Sequence, residues 1–258
     1  MIVSIIDCIG INSISLCSTV GLFFIFLIRT IEALFTKKLN WQRLLHQMEC
    51  IGVNSLAIVI LTGSFAGAVL AFQSYIGFKR FGGEEFIGPV VALTMMRELG
   101  PVLTGLMVAG RSGSAMAAEI GTMCITEQID ALRTLYINIW QYLMVPRILA
   151  STIILPFLSL FAMICGTIGG YIIAVYVLHL NGEEYISGIK RYIELADVIN
   201  GLLKSAIFGL IFSWVGCYQG YATQGGARGV GISTTQAVVI GSIMILIANY
   251  FLTALLFE

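Results

Sequence analysis

The chain has 258 residues, 58% of them hydrophobic and 11% charged, with 14 Lys and Arg balanced by 14 Asp and Glu. Soluble domains carry about a quarter charged residues, so a mean hydropathy of +0.95 excludes a soluble globular protein. Zero net charge argues against a nucleic-acid partner, which would require a clustered basic surface.

Apolar stretches fall at 2–28, 51–78, 86–110, 145–180, 199–222 and 232–257. Each can supply the ~20 residues that a helix needs to cross ~30 Å of hydrocarbon. The alternating ~10-residue strands of a membrane barrel are not found, so the expected fold is an all-α integral membrane protein. Stretch 2–28 lacks a basic leading region and a small-residue cleavage site, which argues against a removable signal peptide. Asp7, Asn12 and several serines interrupt it, leaving either a true span or a helix lying in the interface.

Segment 36–50 carries Lys37, Lys38, Arg43 and Trp41, a composition suited to the headgroup layer, and is expected to be cytoplasmic. Alternation then puts 111–147 and 220–231 inside and 79–86 and 179–197 outside. Lys37, Lys38, Arg43, Arg111, Arg133, Arg147 and Arg228 lie inside, against Lys79, Arg80, Lys190 and Arg191 outside, in accord with positive-inside bias.

Stretch 86–110 contains the adjacent ions Arg97 and Glu98, followed by Gly100-Pro101. Each ion costs about 2.5–3.5 kcal/mol near mid-membrane, while a strongly apolar residue returns only about 0.3–0.6. The segment must therefore be sheltered. Neighbouring helical positions point about 100° apart, so the two ions are expected to look to other helices, water or a ligand rather than to each other. Pro101 is expected to kink or interrupt the helix beside them. Two readings remain: an interhelical salt bridge, or a polar spot on a ligand path.

In the connection 111–147, Thr126 followed by Glu127, Gln128 and Asp130 reads as an N-cap with acidic residues in the first turn. Ile125, Ile129, Leu132 and Tyr136 then recur at helical spacing. The expectation is a short amphipathic helix whose apolar face rests on the protein or bilayer, or docks a cytoplasmic partner. Further along, Gly63/Gly67, Gly166/Gly170 and Gly216/Gly220 permit close helix approach.

Enzyme signatures fail on inspection. GARGVGIS, 226–233, has P-loop glycine spacing, but Ile232 stands where a lysine must reach phosphate. GRSGS around Ser112 lacks the last glycine of a nucleophile elbow and a placed histidine. The six cysteines form no CxxC pair, and two histidines are little to build a metal centre from. No catalytic or metal residue is assigned.

RELGPVLTGLMVAGRSGSAMAAEIGTMCITEQIDAL (97–132), GYATQGGARGVGISTTQAVV (220–239) and FQSYIGFKRFG (72–82) resemble the MlaE family, permease subunits of bacterial and plastid phospholipid-trafficking ABC transporters. The resemblance covers residue 40 to the end. It implies a homodimer, each subunit having five membrane-spanning helices preceded by an interfacial elbow helix, with 1–50 as the elbow region and 51–258 as the permease core of a single membrane domain; of the bacterial and plastid membranes that the family occupies, the bacterial inner membrane is the expected location. It implies partners: a cytoplasmic ABC ATPase that binds ATP and magnesium, a periplasmic MCE-domain ring and an accessory STAS-domain protein. The chain itself would hold no cofactor. Glu119 to Leu132 matches the family's coupling helix, so Glu119, Thr126, Glu127, Gln128, Asp130 and Leu132 are the expected ATPase contacts. Arg97 and Glu98 match charged residues of the lipid-binding cavity at the dimer interface. A chamber walled by the second and last apolar stretches, with Leu70, Phe72, Gln73, Tyr75 and Leu99 in its lining, is the expected substrate site. Arg228 and Ile232 depart from the family pattern, which has an acid and a basic residue there. An ion-coupled secondary transporter using Glu98 and a non-transporting scaffold are the alternatives.

Overall fold

The computed structural model describes residues 18, 21–34 and 40–257, and within these every regular element is helical. Most of stretch 2–28 lies outside the described residues. Helix α1, residues 21–34, precedes five helices long and apolar enough to cross a membrane: α2 (Trp41–Phe78), α3 (Glu84–Ile125), α5 (Trp140–Val177), α7 (Leu195–Tyr221) and α8 (Gly226–Phe257). Two short helices sit in the connections, α4 (Gln128–Thr134) and α6 (Gly182–Tyr192). The end of the bundle bearing residues 40–41, 125–140 and 221–226 is termed basal, and the opposite end apical. The positive-inside reading makes the basal end cytoplasmic.

Local chemistry sets the helix starts. The Asn40 side chain accepts from Arg43 N to begin α2, and that of Asn181 accepts from Glu183 N to begin α6. Glu194 and Asp197 form a reciprocal capping box at the start of α7. At 38 residues, α2 is about 57 Å long, well beyond the ~30 Å of hydrocarbon, and it runs unbroken across residue 50.

Two boundaries differ from the sequence expectation. The connection expected at 111–147 is largely helical: α3 continues to Ile125 and α5 begins at Trp140. The small residues from Gly110 to Gly121 lower hydropathy without breaking the helix, and they allow α7 to pack closely, Gly216 against Gly113 and Gly220 against Ala117. GARGVG is likewise the first turns of α8 rather than loop.

Helix α7 is the most buried span and α8 the least. The closest crossing is α2 on α5, where Gly67 lies so near Gly166 that a Cβ on either would collide with the other helix or with Met95. Lipid gives helices no apolar drive to associate, so backbone proximity of this kind supplies the dispersion contact that holds the pair. At the basal end α1 packs on the bundle through Phe23 stacked on Trp214, 4.0 Å between centroids, and Phe26 against Trp140 and Tyr218.

Candidate functional site

Helix α3 is interrupted by two π-turns, Met95–Leu99 and Ala109–Gly113, and each carries charge: Arg97 and Glu98 in the first, Arg111 in the second. Pro101 accounts for the first. It has no N–H, and its ring would press on the carbonyl four residues back, which is that of Arg97. The π-turn widens the helix there, with Gly100 N bonding to Met95 O. The released Arg97 carbonyl accepts instead from Lys204 Nζ at 3.0 Å.

Arg97 and Glu98 find separate partners on α7. Arg97 meets Asp197 Oδ1 at 2.7 Å, while Asp197 Oδ2 still accepts from Glu194 N in the capping box. Glu98 Oε1 lies 3.0 Å from Lys204 Nζ and 2.9 Å from Thr253 Oγ1, and Oε2 accepts from Asn249 Nδ2 at 3.0 Å. Asp197 and Lys204 are seven residues apart, two turns, so one face of α7 receives both ions. Lys204 is fully buried, whereas the side chains of Glu98 and Arg97 remain 33% and 44% exposed. Asp197, Lys204, Asn249 and Thr253 are thus functional candidates that the sequence reading missed. Asp197, just before the 199–222 stretch, and Lys204, within it, were the signal available for two of them.

Leu70, Gln73 and Leu99 line one groove of about 460 Å³ between α2 and α3, with Phe65, Val69 and Leu103. Phe72 and Tyr75 lie outside it: Phe72 is exposed on another face of α2, and Tyr75 packs toward the apical core, 5.2 Å from the Lys79 ammonium. Arg97 and Glu98 do not line this groove either. Apical Tyr185, on α6, is buried, and that burial holds its phenol well above the usual tyrosine range.

At the basal end the expected coupling segment is divided between two helices. Glu119 belongs to α3 and bridges Arg147 of α5 at 2.9 Å. Thr126 is not an N-cap; its hydroxyl turns back to Thr122 O, and it closes the preceding helix. Glu127 stands at the junction with φ 59 and gives no side-chain cap. The local bond from the threonine hydroxyl to the carbonyl four residues back competes with capping and wins here. Ile129 is buried, Leu132 packs against the core, and Glu127, Gln128 and Asp130 remain exposed. Leu135 and Tyr136 are left facing out, Tyr136 almost fully exposed.

The model of the family described as Permease MlaE matches residues 44–255. A probable ABC transporter permease protein of Rickettsia typhi is 46% identical over 258 residues, the whole of both chains. The chloroplastic protein TRIGALACTOSYLDIACYLGLYCEROL 1 of Arabidopsis thaliana is 39% identical over 221 residues, 86% of this chain and 63% of the relative. The intermembrane phospholipid transport system permease protein MlaE of Haemophilus influenzae is 35% identical over 215 residues, 83% of this chain and 82% of the relative. With five helices fit to span a membrane and a family match over most of its length, the chain belongs to the MlaE permease family.

Proposed function

We propose that this protein is the permease subunit of an ABC transporter that moves phospholipid between the inner membrane and the periplasmic side, driven by ATP hydrolysis on a separate ATPase. The observation that carries this reading is the family match over 44–255, and the name of the Haemophilus relative supports the phospholipid cargo. Two acyl chains of about 16 carbons would cost about 25 kcal/mol to expose fully to water, at about 0.8 kcal/mol per CH2, so the route must be apolar throughout. The groove of Leu70, Gln73 and Leu99 has that character.

In this reading the chain works as a homodimer, with the exposed apolar faces of α2 and α8 enclosing a chamber between copies. Leu61, Phe65 and Val69 on α2, and Ile243, Ile247 and Tyr250 on α8, are the exposed apolar residues available for that contact. Glu98 and Arg97 remain the charged elements of the chamber, the partly exposed edges of both ion pairs being accessible to a headgroup. The ATPase meets the basal end at α4, through exposed Glu127, Gln128 and Asp130. ATP binding changes the chamber if the two permease states differ in affinity for the ATPase dimer. An MCE-domain protein joins the outer side, and a STAS-domain subunit is a further candidate partner.

The test is phospholipid transfer by proteoliposomes holding this chain with its cognate ATPase. ATP-dependent transfer is expected; transfer that ignores ATP and follows an ion gradient overturns the reading in favour of a secondary transporter.

A further inference from the structure

A second hollow lies between α2 and α3 nearer the basal end, where the chemistry differs. It has a volume of about 210 Å³, and Gln47, Asn54, Arg111, Ser112 and Glu119 are among its lining. Asn54 and Phe65 are eleven residues apart on α2, three full turns, so the polar and apolar sections share one face about 16 Å apart along the axis. Between them Leu61 is exposed, and a Cβ on Gly110 would meet nothing within 4 Å.

Arg111 is the unusual member. Arg97, Lys204 and Arg147, the other cations within α3, α5 and α7, each stand against a carboxylate. Arg111 has one polar side-chain partner among the described residues, the neutral Ser55 Oγ at 3.1 Å, and no carboxylate at ion-pair distance. The π-turn Ala109–Gly113 holds it in this hollow. An unneutralised guanidinium within a membrane helix is costly, and a phosphate in the hollow would offset that cost through a charge-assisted, bidentate contact. Asn54 and Gln47 add neutral hydrogen-bonding groups around the same space. The distance from this polar section to the apolar one is about half of the ~30 Å hydrocarbon, the depth of one leaflet.

We propose that the basal hollow between α2 and α3 binds the phosphate of a phospholipid from the basal leaflet, with Arg111 as its anchor and the acyl chains running apically past Leu61 toward Phe65 and Leu103. The site is separate from the Arg97 and Glu98 cluster and gives cargo a place to wait before it reaches the chamber. The proposal rests on the lipid-transport reading for that last role, but the site can be tested without transport.

The experiment uses the full chain in phosphatidylcholine vesicles with a trace of phosphatidylglycerol carrying a photoreactive group near its glycerol. Crosslinked peptides are read by mass spectrometry. Label is expected on 50–61 and 107–116, reduced about tenfold in Arg111→Gln and retained in Arg111→Lys. Asn54→Leu, an exposed position, gives a second variant should Arg111→Gln fail to fold, and it too should lose label. Unchanged label in the folded Arg111→Gln or Asn54→Leu variant overturns the site. Loss of wild-type label on adding inorganic phosphate overturns the lipid assignment in favour of a soluble anion. Intact labelling without ATP-driven transfer would sink the proposed function and leave this site standing; transfer with label indifferent to Arg111 does the reverse.

Discussion

Lys204 Nζ stands 3.0 Å from both Glu98 Oε1 and the main-chain oxygen of Arg97, so one buried ammonium holds a side chain and a π-turn of α3 at once. Removing the acid takes the carboxylate away from a fully buried ammonium, which keeps only neutral acceptors such as the Arg97 carbonyl and the Thr253 hydroxyl, at a cost of about 3–5 kcal/mol. Glu98→Leu is therefore expected to lower thermal stability in detergent more than Lys204→Met, which leaves Glu98 its contacts with Asn249 and Thr253. The double variant should be more stable than the sum of the two losses. Simple additivity in that cycle would show that the pair is not coupled.

Transport gives a different reading of the same ions. Under the proposed function, Arg97→Gln leaves a folded protein with reduced lipid transfer, because Arg97 is 44% exposed and the buried Asp197 carboxylate keeps its bond from Glu194 N. Transfer equal to wild type by a folded Arg97→Gln protein would make the Asp197 bridge purely structural.

The α2–α5 crossing predicts a steep dependence on one methyl group. Gly67→Ala is expected to abolish folding or to cost more than the usual 1–3 kcal/mol of overpacking, since the obstacle is the backbone of Gly166. Gly77→Ala, where a Cβ meets nothing within 4 Å, should be neutral in the same thermal assay. Equal effects at the two positions would contradict the crossing.

A bulky residue in the apical groove tests the lipid route. Leu70→Trp should partly fill the space of about 460 Å³ and depress lipid transfer several-fold. Phe72→Trp, outside the groove, should leave transfer unchanged when measured beside it.

The Tyr185 phenol gives a pH prediction. Its folded pKa is raised by burial, so the neutral form is the one the fold accepts. Its contribution is fully present below the ordinary tyrosine pKa of about 10 and is lost as pH rises above it. Thermal stability should fall more steeply between about pH 10 and 11 in wild type than in Tyr185→Phe.

Much of the candidate site was legible because it consists of anomalies. Arg97 and Glu98 stand out against apolar neighbours, and Pro101 marks a helix that must rearrange. Their partners were less legible: Asp197 reads as part of a cap at an apolar stretch's edge, and Lys204 as a single ion within one. Asn249 and Thr253 are polar but uncharged, and helices routinely carry such residues with only their own backbone as partner. Thr126 misled for the same reason, since a threonine ahead of acidic residues is a capping signal only when its hydroxyl is free to turn forward.

The sequence by itself determined that this protein lies in a membrane, that its spans are helices, and that certain ions needed shelter, because hydropathy, backbone hydrogen bonding in lipid and the cost of charge are properties of each segment alone. Only the tertiary structure decided which ions pair. The Arg97–Asp197 and Glu98–Lys204 bridges join residues about a hundred positions apart, and their registry depends on a π-turn and on the rotation of α7 against α3. The same registry left Arg111 without a carboxylate, which no local pattern records, since pairing is a property of two helices and not of one.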